Sequence, residues 1–131
     1  MSQLPQISDA EWQVMKIIWA KAPCTANQVV DYLSEVTAWR SKTIKTLINR
    51  LLKKEVLGFK IDQQDKKTYH YYPLIAEKEC VKAESHSFLQ RVFDGSPNIL
   101  LANFIRECEL SQQDIAELKQ ILEEKTKKKT T

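Results

Sequence analysis

From Ser41 onward the apolar residues Ile44, Leu47, Ile48, Leu51 and Leu52 recur at i, i+3, i+4, i+7 and i+8, the spacing of a helix with one buried face. The positions between them hold Lys42, Thr43, Lys45, Thr46, Asn49, Arg50 and Lys53, and from Ala38 to Lys54 there are six basic residues without one acid. Such a helix cannot stand alone in water, because its apolar stripe needs other elements to cover it. Its outer face is cationic, with short hydroxyl and amide groups set among the charges, which suits a polyanion.

The elements that could cover the stripe precede and follow it. Ser8 with Glu11 three residues on is a capping box, and Val14, Ile17 and Ile18 at helical spacing extend a helix over about 9–21, with Trp12, Met15 and Trp19 beside them. Ala22-Pro23 ends it, and Thr25 with Gln28 caps a shorter helix carrying Val29, Val30 and Leu33. After Gly58, alternating residues on either side of the polar stretch Gln63-Gln64-Asp65-Lys66-Lys67 read as a two-stranded hairpin, Phe59 to Asp62 pairing with Thr68 to Tyr72. The tyrosines Tyr69, Tyr71 and Tyr72 read as strand and core residues.

Beyond Pro73 the pattern returns to helices. One covers about 76–93; a second starts at Ser96-Pro97 and presents Leu100, Leu101, Phe104 and Ile105. A third opens at Ser111 with Asp114 and shows Ile115, Leu118, Ile121 and Leu122. Only two glycines and four prolines in 131 residues leave few places for the turns of a many-stranded sheet. The expected fold class is mainly α. Three helices and a hairpin are the order of a winged-helix DNA-binding domain, here 1–73, followed by a helical dimerisation domain, 74–125, and a disordered lysine-rich tail, 126–131.

Charge follows the same division. Residues 1–72 carry 11 Lys/Arg against 7 Asp/Glu, a balance of +4, whereas residues 73–124 carry 5 against 10, a balance of −5. Cys24, Cys80 and Cys108 are far apart and form no Cys-x-Cys or Cys-x-x-Cys pair, so neither a disulfide framework nor a metal site is expected, and no cofactor. His70 and His86 have no partners at metal-ligand spacing and read as ordinary polar residues. The first residues lack a basic region followed by an apolar stretch, and no run approaches the ~20 apolar residues of a membrane span, so a soluble cytoplasmic protein is expected. No Gly-rich phosphate loop, Cys/His pair or His/carboxylate cluster indicates an enzyme.

On a recognition helix, Lys and Arg reach guanine acceptors or phosphates, Asn pairs with adenine, and Thr bonds a base edge or touches a thymine methyl. The candidate DNA-binding residues are therefore Lys42, Thr43, Lys45, Thr46, Asn49 and Arg50, with Lys66 and Lys67 on the wing. Lys53 and Lys54 are expected to add phosphate contacts. The candidate dimerisation residues are Leu100, Leu101, Phe104, Ile105, Ile115, Leu118, Ile121 and Leu122. A winged-helix module that binds proteins is the competing reading, but its third helix would show apolar anchors on the outer face.

The runs Ile7-Ser8-Asp9-Ala10-Glu11-Trp12-Gln13-Val14-Met15 and Lys42-Thr43-Ile44-Lys45-Thr46-Leu47, with Arg50-Leu51 and Lys53-Lys54 beyond, resemble the penicillinase and methicillin-resistance repressors, a family that also includes copper-responsive repressors. Leu101-Ala102-Asn103-Phe104 and Leu110-Ser111-Gln112-Gln113-Asp114-Ile115 extend the resemblance over nearly the whole chain. It implies a homodimer that binds a pseudo-palindromic DNA operator and blocks transcription of β-lactam-resistance genes. It also implies induction through a membrane-bound sensor protease, with cleavage between residues matching Asn103 and Phe104. The copper-responsive branch ends in paired Cys-x-Cys motifs, whereas this chain ends in Lys-Lys-Lys-Thr-Thr. Two positions depart from the family pattern. Glu55 stands where a glycine usually follows the paired lysines, and Lys45 stands where several relatives carry arginine, whose bidentate fork to guanine lysine lacks.

Overall fold

The computed structural model describes residues 4–129. In chain order the elements are α1 (Asp9–Lys21), α2 (Ala26–Ser34), α3 (Ser41–Lys53), β1 (Leu57–Ile61), β2 (Tyr69–Pro73), α4 (Glu77–Phe93), α5 (Pro97–Glu107) and α6 (Gln112–Lys129). Two compact units part between Ser85 and His86, within α4.

Local sequence sets the helix starts of the first unit. The Ser8 hydroxyl accepts from the Glu11 N–H at 3.2 Å while the Glu11 carboxylate accepts from the Ser8 N–H at 2.8 Å, and Thr25 and Gln28 repeat the exchange at the start of α2. The apolar stripe of α3 is buried as its spacing predicts: Ile44, Leu47, Ile48 and Leu51 meet Val14, Met15 and Ile18 of α1 and Val29 and Leu33 of α2. Leu52 lies at the edge of this core, half-buried.

The hairpin is antiparallel, with Leu57 opposite Pro73 and Ile61 opposite Tyr69. It is joined to the helices by a bridge that the sequence does not announce. The Cys24 N–H donates to the Tyr71 carbonyl at 3.0 Å, and the Tyr71 N–H donates to the Cys24 carbonyl at 2.7 Å. Cys24, two residues before α2, thus acts as a one-residue third strand, and both Cys24 and Tyr71 are buried. Burial pushes the Cys24 thiol and the Tyr71 hydroxyl above their ordinary pKa ranges, so both stay protonated in the core.

The passage from α3 into β1 uses a left-handed residue. Glu55 has φ 62, its N–H reaches the Leu52 carbonyl at 3.0 Å, and the Val56 N–H reaches the Leu51 carbonyl at 3.0 Å. This is a Schellman ending, completed by the buried pair Val56 and Leu51. Glycine is favoured at such a left-handed position, so α3 ends here with a side chain in a disfavoured conformation.

The same end of α3 is tied to the start of α1. The Lys54 ammonium lies 2.6 Å from Glu11 Oε1 and donates to the Gln6 carbonyl at 2.8 Å, and Glu11 is only 1% exposed. Lys54, expected as a phosphate contact, is thus paired within the fold while its side chain stays 34% exposed. Burial raises the Glu11 pKa, but hydrogen bonds from Lys54 and from the Ser8 backbone and hydroxyl, with the Lys54 charge, outweigh it and leave the carboxyl below its ordinary range.

In the second unit, α4 ends at Asp94 (φ 50) and Gly95 (φ 81), and Phe88 packs edge-on against Phe93 at 5.8 Å. Ser96 takes the cap position before Pro97 but its hydroxyl makes no capping bond. Ser111 and Asp114 form the expected reciprocal pair at the start of α6, at 3.0 and 3.1 Å. Helix α6 runs to Lys129, and the last two residues of the expected tail lie outside the described residues. Among the described residues no helix is long and apolar enough to cross a membrane.

Two stability measurements test these contacts. Glu55→Gly removes a side chain from the left-handed region, and denaturant unfolding should show a gain of up to about 1 kcal/mol, less than the full 1–2 kcal/mol of strain because glycine also loses more entropy on folding. The lowered Glu11 pKa contributes stability that is complete above the unfolded value near ~4.3 and is lost as pH falls through the folded value. Glu11→Gln should flatten that acid limb of stability against pH while lowering stability at neutral pH.

Candidate nucleic-acid interface

The burial of one side of α3 leaves Lys42, Thr43, Lys45, Thr46, Asn49 and Arg50 exposed on the other. No acid lies in the first turn, and Arg40 at the cap position makes no side-chain capping bond, so the start of α3 keeps its positive end. Thr46 donates its hydroxyl proton to the Lys42 carbonyl at 2.9 Å. What it can offer outward is a lone pair and a methyl group, which suit an amino donor of adenine or cytosine, or the thymine methyl.

Lys45 of α3 and the wing lysines Lys66 and Lys67 share one open cleft of about 580 Å³ with Thr25, Ala26 and Asn27 at the start of α2, and with Thr68, Tyr69 and Tyr71. Three candidate residues from two distant segments thus line one surface together with a helix N-terminus. Sequence alone marks neither the start of α2 nor Tyr69, read there as a strand and core residue, as a DNA-binding candidate. The signal for the first was present, since the Thr25 capping box marks a helix end whose N–H groups and dipole favour an anion. Tyr69 becomes visible only through the hairpin register, which sets it across from Ile61 and stacks its ring on Phe59 at 4.6 Å. Tyr71 is a core residue, while Tyr69 is 38% exposed.

The wing tip is ordered by two carboxylates turned onto its own backbone. Asp62 accepts from the N–H groups of Gln64 and Asp65 at 2.8 and 3.1 Å, and Asp65 accepts from the Lys67 N–H at 3.1 Å and the Thr68 hydroxyl at 2.7 Å. His70 Nε2 lies 3.1 Å from Asp62 Oδ2. The hydrogen bond with His70, then those from the backbone of Asp65 and Gln64, hold the Asp62 carboxyl down to about 2. His70, expected as an ordinary polar residue, thus has a specific partner across the hairpin. Asp62 and Asp65 formally cancel Lys66 and Lys67, so the tip has no net charge over 62–68. Both carboxylates are engaged by N–H and hydroxyl donors of the turn, while Lys66 and Lys67 are exposed beside them.

The dimerisation candidates lie in the second unit. Leu100 and Leu118 are half-buried, whereas Leu101, Phe104, Ile105, Ile115, Ile121 and Leu122 are between 41% and 57% exposed. Asn103 and Phe104 are both exposed within α5. No group of three or more His, Cys, Asp or Glu side chains that could hold a metal occurs among the described residues.

Three helices with an uncapped cationic third helix, and a hairpin whose lysines line the same cleft, define a winged-helix DNA-binding protein. The chain belongs to the penicillinase repressor family, whose profile matches residues 7–124. It is 40% identical to the penicillinase repressor of Bacillus licheniformis over 129 residues, 98% of each chain. It is 41% identical to the methicillin resistance regulatory protein MecI of Staphylococcus aureus over 120 residues, 92% of this chain and 95% of that one. Its fold matches the solution structure of the Bacillus licheniformis BlaI monomeric form in complex with the blaP half-operator, with a TM-score of 0.52 and 39% identity over 60% of this chain and 93% of that one. The protein is a DNA-binding transcriptional repressor rather than an enzyme.

Base and phosphate contacts separate experimentally. On a duplex taken from the DNA upstream of its own gene, Thr46→Ala and Arg50→Ala should each weaken specific binding by about 1–3 kcal/mol with unchanged helix content. Replacing Lys66 and Lys67 together by Ala should instead flatten the dependence of log affinity on log salt by about 0.9 for each phosphate no longer neutralised, with sequence preference retained. Lys54→Ala, by contrast, should leave that slope unaltered.

Proposed function

We propose that this repressor works in the cytoplasm as a homodimer on a pseudo-palindromic operator, controls β-lactam-resistance genes, and is inactivated by proteolysis between Asn103 and Phe104 in response to a membrane-bound sensor protease. The observation that carries the operator reading is the cleft that unites the start of α2 with Lys45, Lys66 and Lys67 beside the exposed face of α3. In this reading Lys42, Thr43, Lys45, Thr46, Asn49 and Arg50 enter the major groove, and the wing lysines hold the flanking backbone. The names of the relatives, a penicillinase repressor and a methicillin-resistance regulator, support the choice of target genes.

The dimer reading rests on the second unit. Helix α5 contains no buried residue, and seven large apolar side chains of α5 and α6, from Ile99 to Leu122, are 41–57% exposed. So many exposed large apolar side chains on two consecutive helices call for a cover, and a second copy of the same helices would supply it. Residues 74–125 then form the dimerisation part and 1–73 the DNA-reading part.

The proposed cleavage point fits this arrangement. The Asn103-Phe104 bond lies inside α5, and a protease needs its substrate extended, so the helix must open locally before it is cut. With no residue of α5 buried, that opening costs little in the isolated chain. The cut would detach Phe104, Ile105, Leu110, Ile115, Leu118, Ile121 and Leu122 from the DNA-reading part. Two joined readers reinforce each other's affinity by a factor of order 10²–10⁴, and a monomeric reader loses that gain although its α3 stays folded.

Residues 1–103 made as a separate protein should therefore have a monomer's mass by sedimentation and bind the whole operator on the order of 10²-fold more weakly than the full chain. A fragment that remains dimeric and binds equally well removes proteolysis as the switch.

A further inference from the structure

The first unit carries a second concave surface, and none of its lining residues belongs to the DNA cleft. It is a groove of about 250 Å³ between α1 and α2, with Ile17, Ala20 and Leu33 as its apolar floor. Tyr32 and Val36 form its rim and are 41% and 73% exposed, and Val36 is the most exposed large apolar residue among the described ones. Tyr32 and Val36 both lie outside the core cluster, which holds Leu33 between them.

The two charged residues among those lining the groove are both basic, with Asp31 and Glu35 exposed next to its rim residues in the chain. Lys16 and Lys21 line the groove and no carboxylate does. The Lys21 ammonium stands 5.6 Å from the centre of the Tyr32 ring, which keeps a positive charge beside the apolar opening. The volume is below the roughly 300–1,000 Å³ of pockets that enclose a small molecule, but it has room for one large apolar side chain. An uncharged partner would cover the two ammonium groups without pairing them, whereas an acidic one satisfies both. Nucleic acid supplies the negative charge but nothing for the apolar floor.

From this we infer that the α1–α2 groove is a docking site for an acidic segment of another protein, which inserts one large apolar side chain between Tyr32 and Val36 and pairs its carboxylates with Lys16 and Lys21. Because the groove and the DNA cleft have no residue in common, the repressor can hold this partner while it holds its operator. The surface would let DNA-bound repressor recruit, or be removed by, a second protein.

The test uses the full chain and a fluorescein-labelled acidic nonapeptide of alternating Asp and Glu with one central Phe. Fluorescence anisotropy should show saturable binding that persists when operator duplex is added. Val36→Asp and Lys16→Glu, both at exposed positions outside the DNA cleft, should each weaken peptide binding about tenfold or more while operator affinity stays unchanged. A peptide with Ser in place of Phe should bind correspondingly weakly. The inference is overturned by an absence of saturable binding, by release of the peptide on adding DNA, which places it on the cationic face of α3, or by equal binding of the Ser peptide. Indifference to both substitutions overturns it too. A lower mass for Val36→Asp in sedimentation also overturns it, because the groove would then belong to a second copy of the chain.

Discussion

The contact on which the rest of this protein depends is the packing of Ile44, Leu47, Ile48 and Leu51 against α1 and α2. A helix has a single rotational setting that buries such a stripe, so sealing this face sets the direction of every other residue of α3. Lys42, Lys45, Thr46, Asn49 and Arg50 face solvent because the apolar positions interleaved with them are in the core. Recognition chemistry and hydrophobic burial are thus two consequences of one periodicity. At roughly 1.5–3 kcal/mol for each fully buried aliphatic side chain, the core face holds the helix in place even though its outer face gathers like charges.

The C-terminal end of α3 carries that setting to neighbouring elements. There Lys54 is held by Glu11 and the Gln6 carbonyl, so a residue within the basic run serves the fold rather than the surface. One residue later Glu55 turns the chain through the left-handed region and sends it into β1. The hairpin is then fastened twice, by the Cys24–Tyr71 bridge midway along β2 and by Asp62 and Asp65 at its tip. The lysines of the wing lie on a turn in which the N–H groups of Gln64, Asp65, Lys67 and Thr68 are engaged, which preorganises it at the cleft shared with Lys45.

The second unit shows the opposite balance. Ser111 and Asp114 cap α6 as local sequence indicates, yet α5 buries no residue and most large apolar side chains of α5 and α6 are exposed. A single chain offers these helices little to pack on, so their stability is tied to whatever covers them.

Most of the architecture was legible from residue order alone. Capping boxes at Ser8 and Thr25, the stripe of α3 and the polar turn between two aromatic-rich segments are short-range signals, and each states its element because it acts within one or two turns of chain. The sequence by itself thereby determined the helices, the wing and the side of α3 that faces outward. Tertiary structure decided what depends on residues far apart in the chain: that Lys54 pairs with Glu11 43 positions away, that Cys24 joins the sheet through Tyr71, and that His70 finds Asp62 across the hairpin. Nothing in local spacing distinguishes Lys53, which is exposed, from Lys54, which is engaged. The difference of one residue is a rotation of ~100° about the helix axis, and only the position of α1 beside that turn gives it meaning.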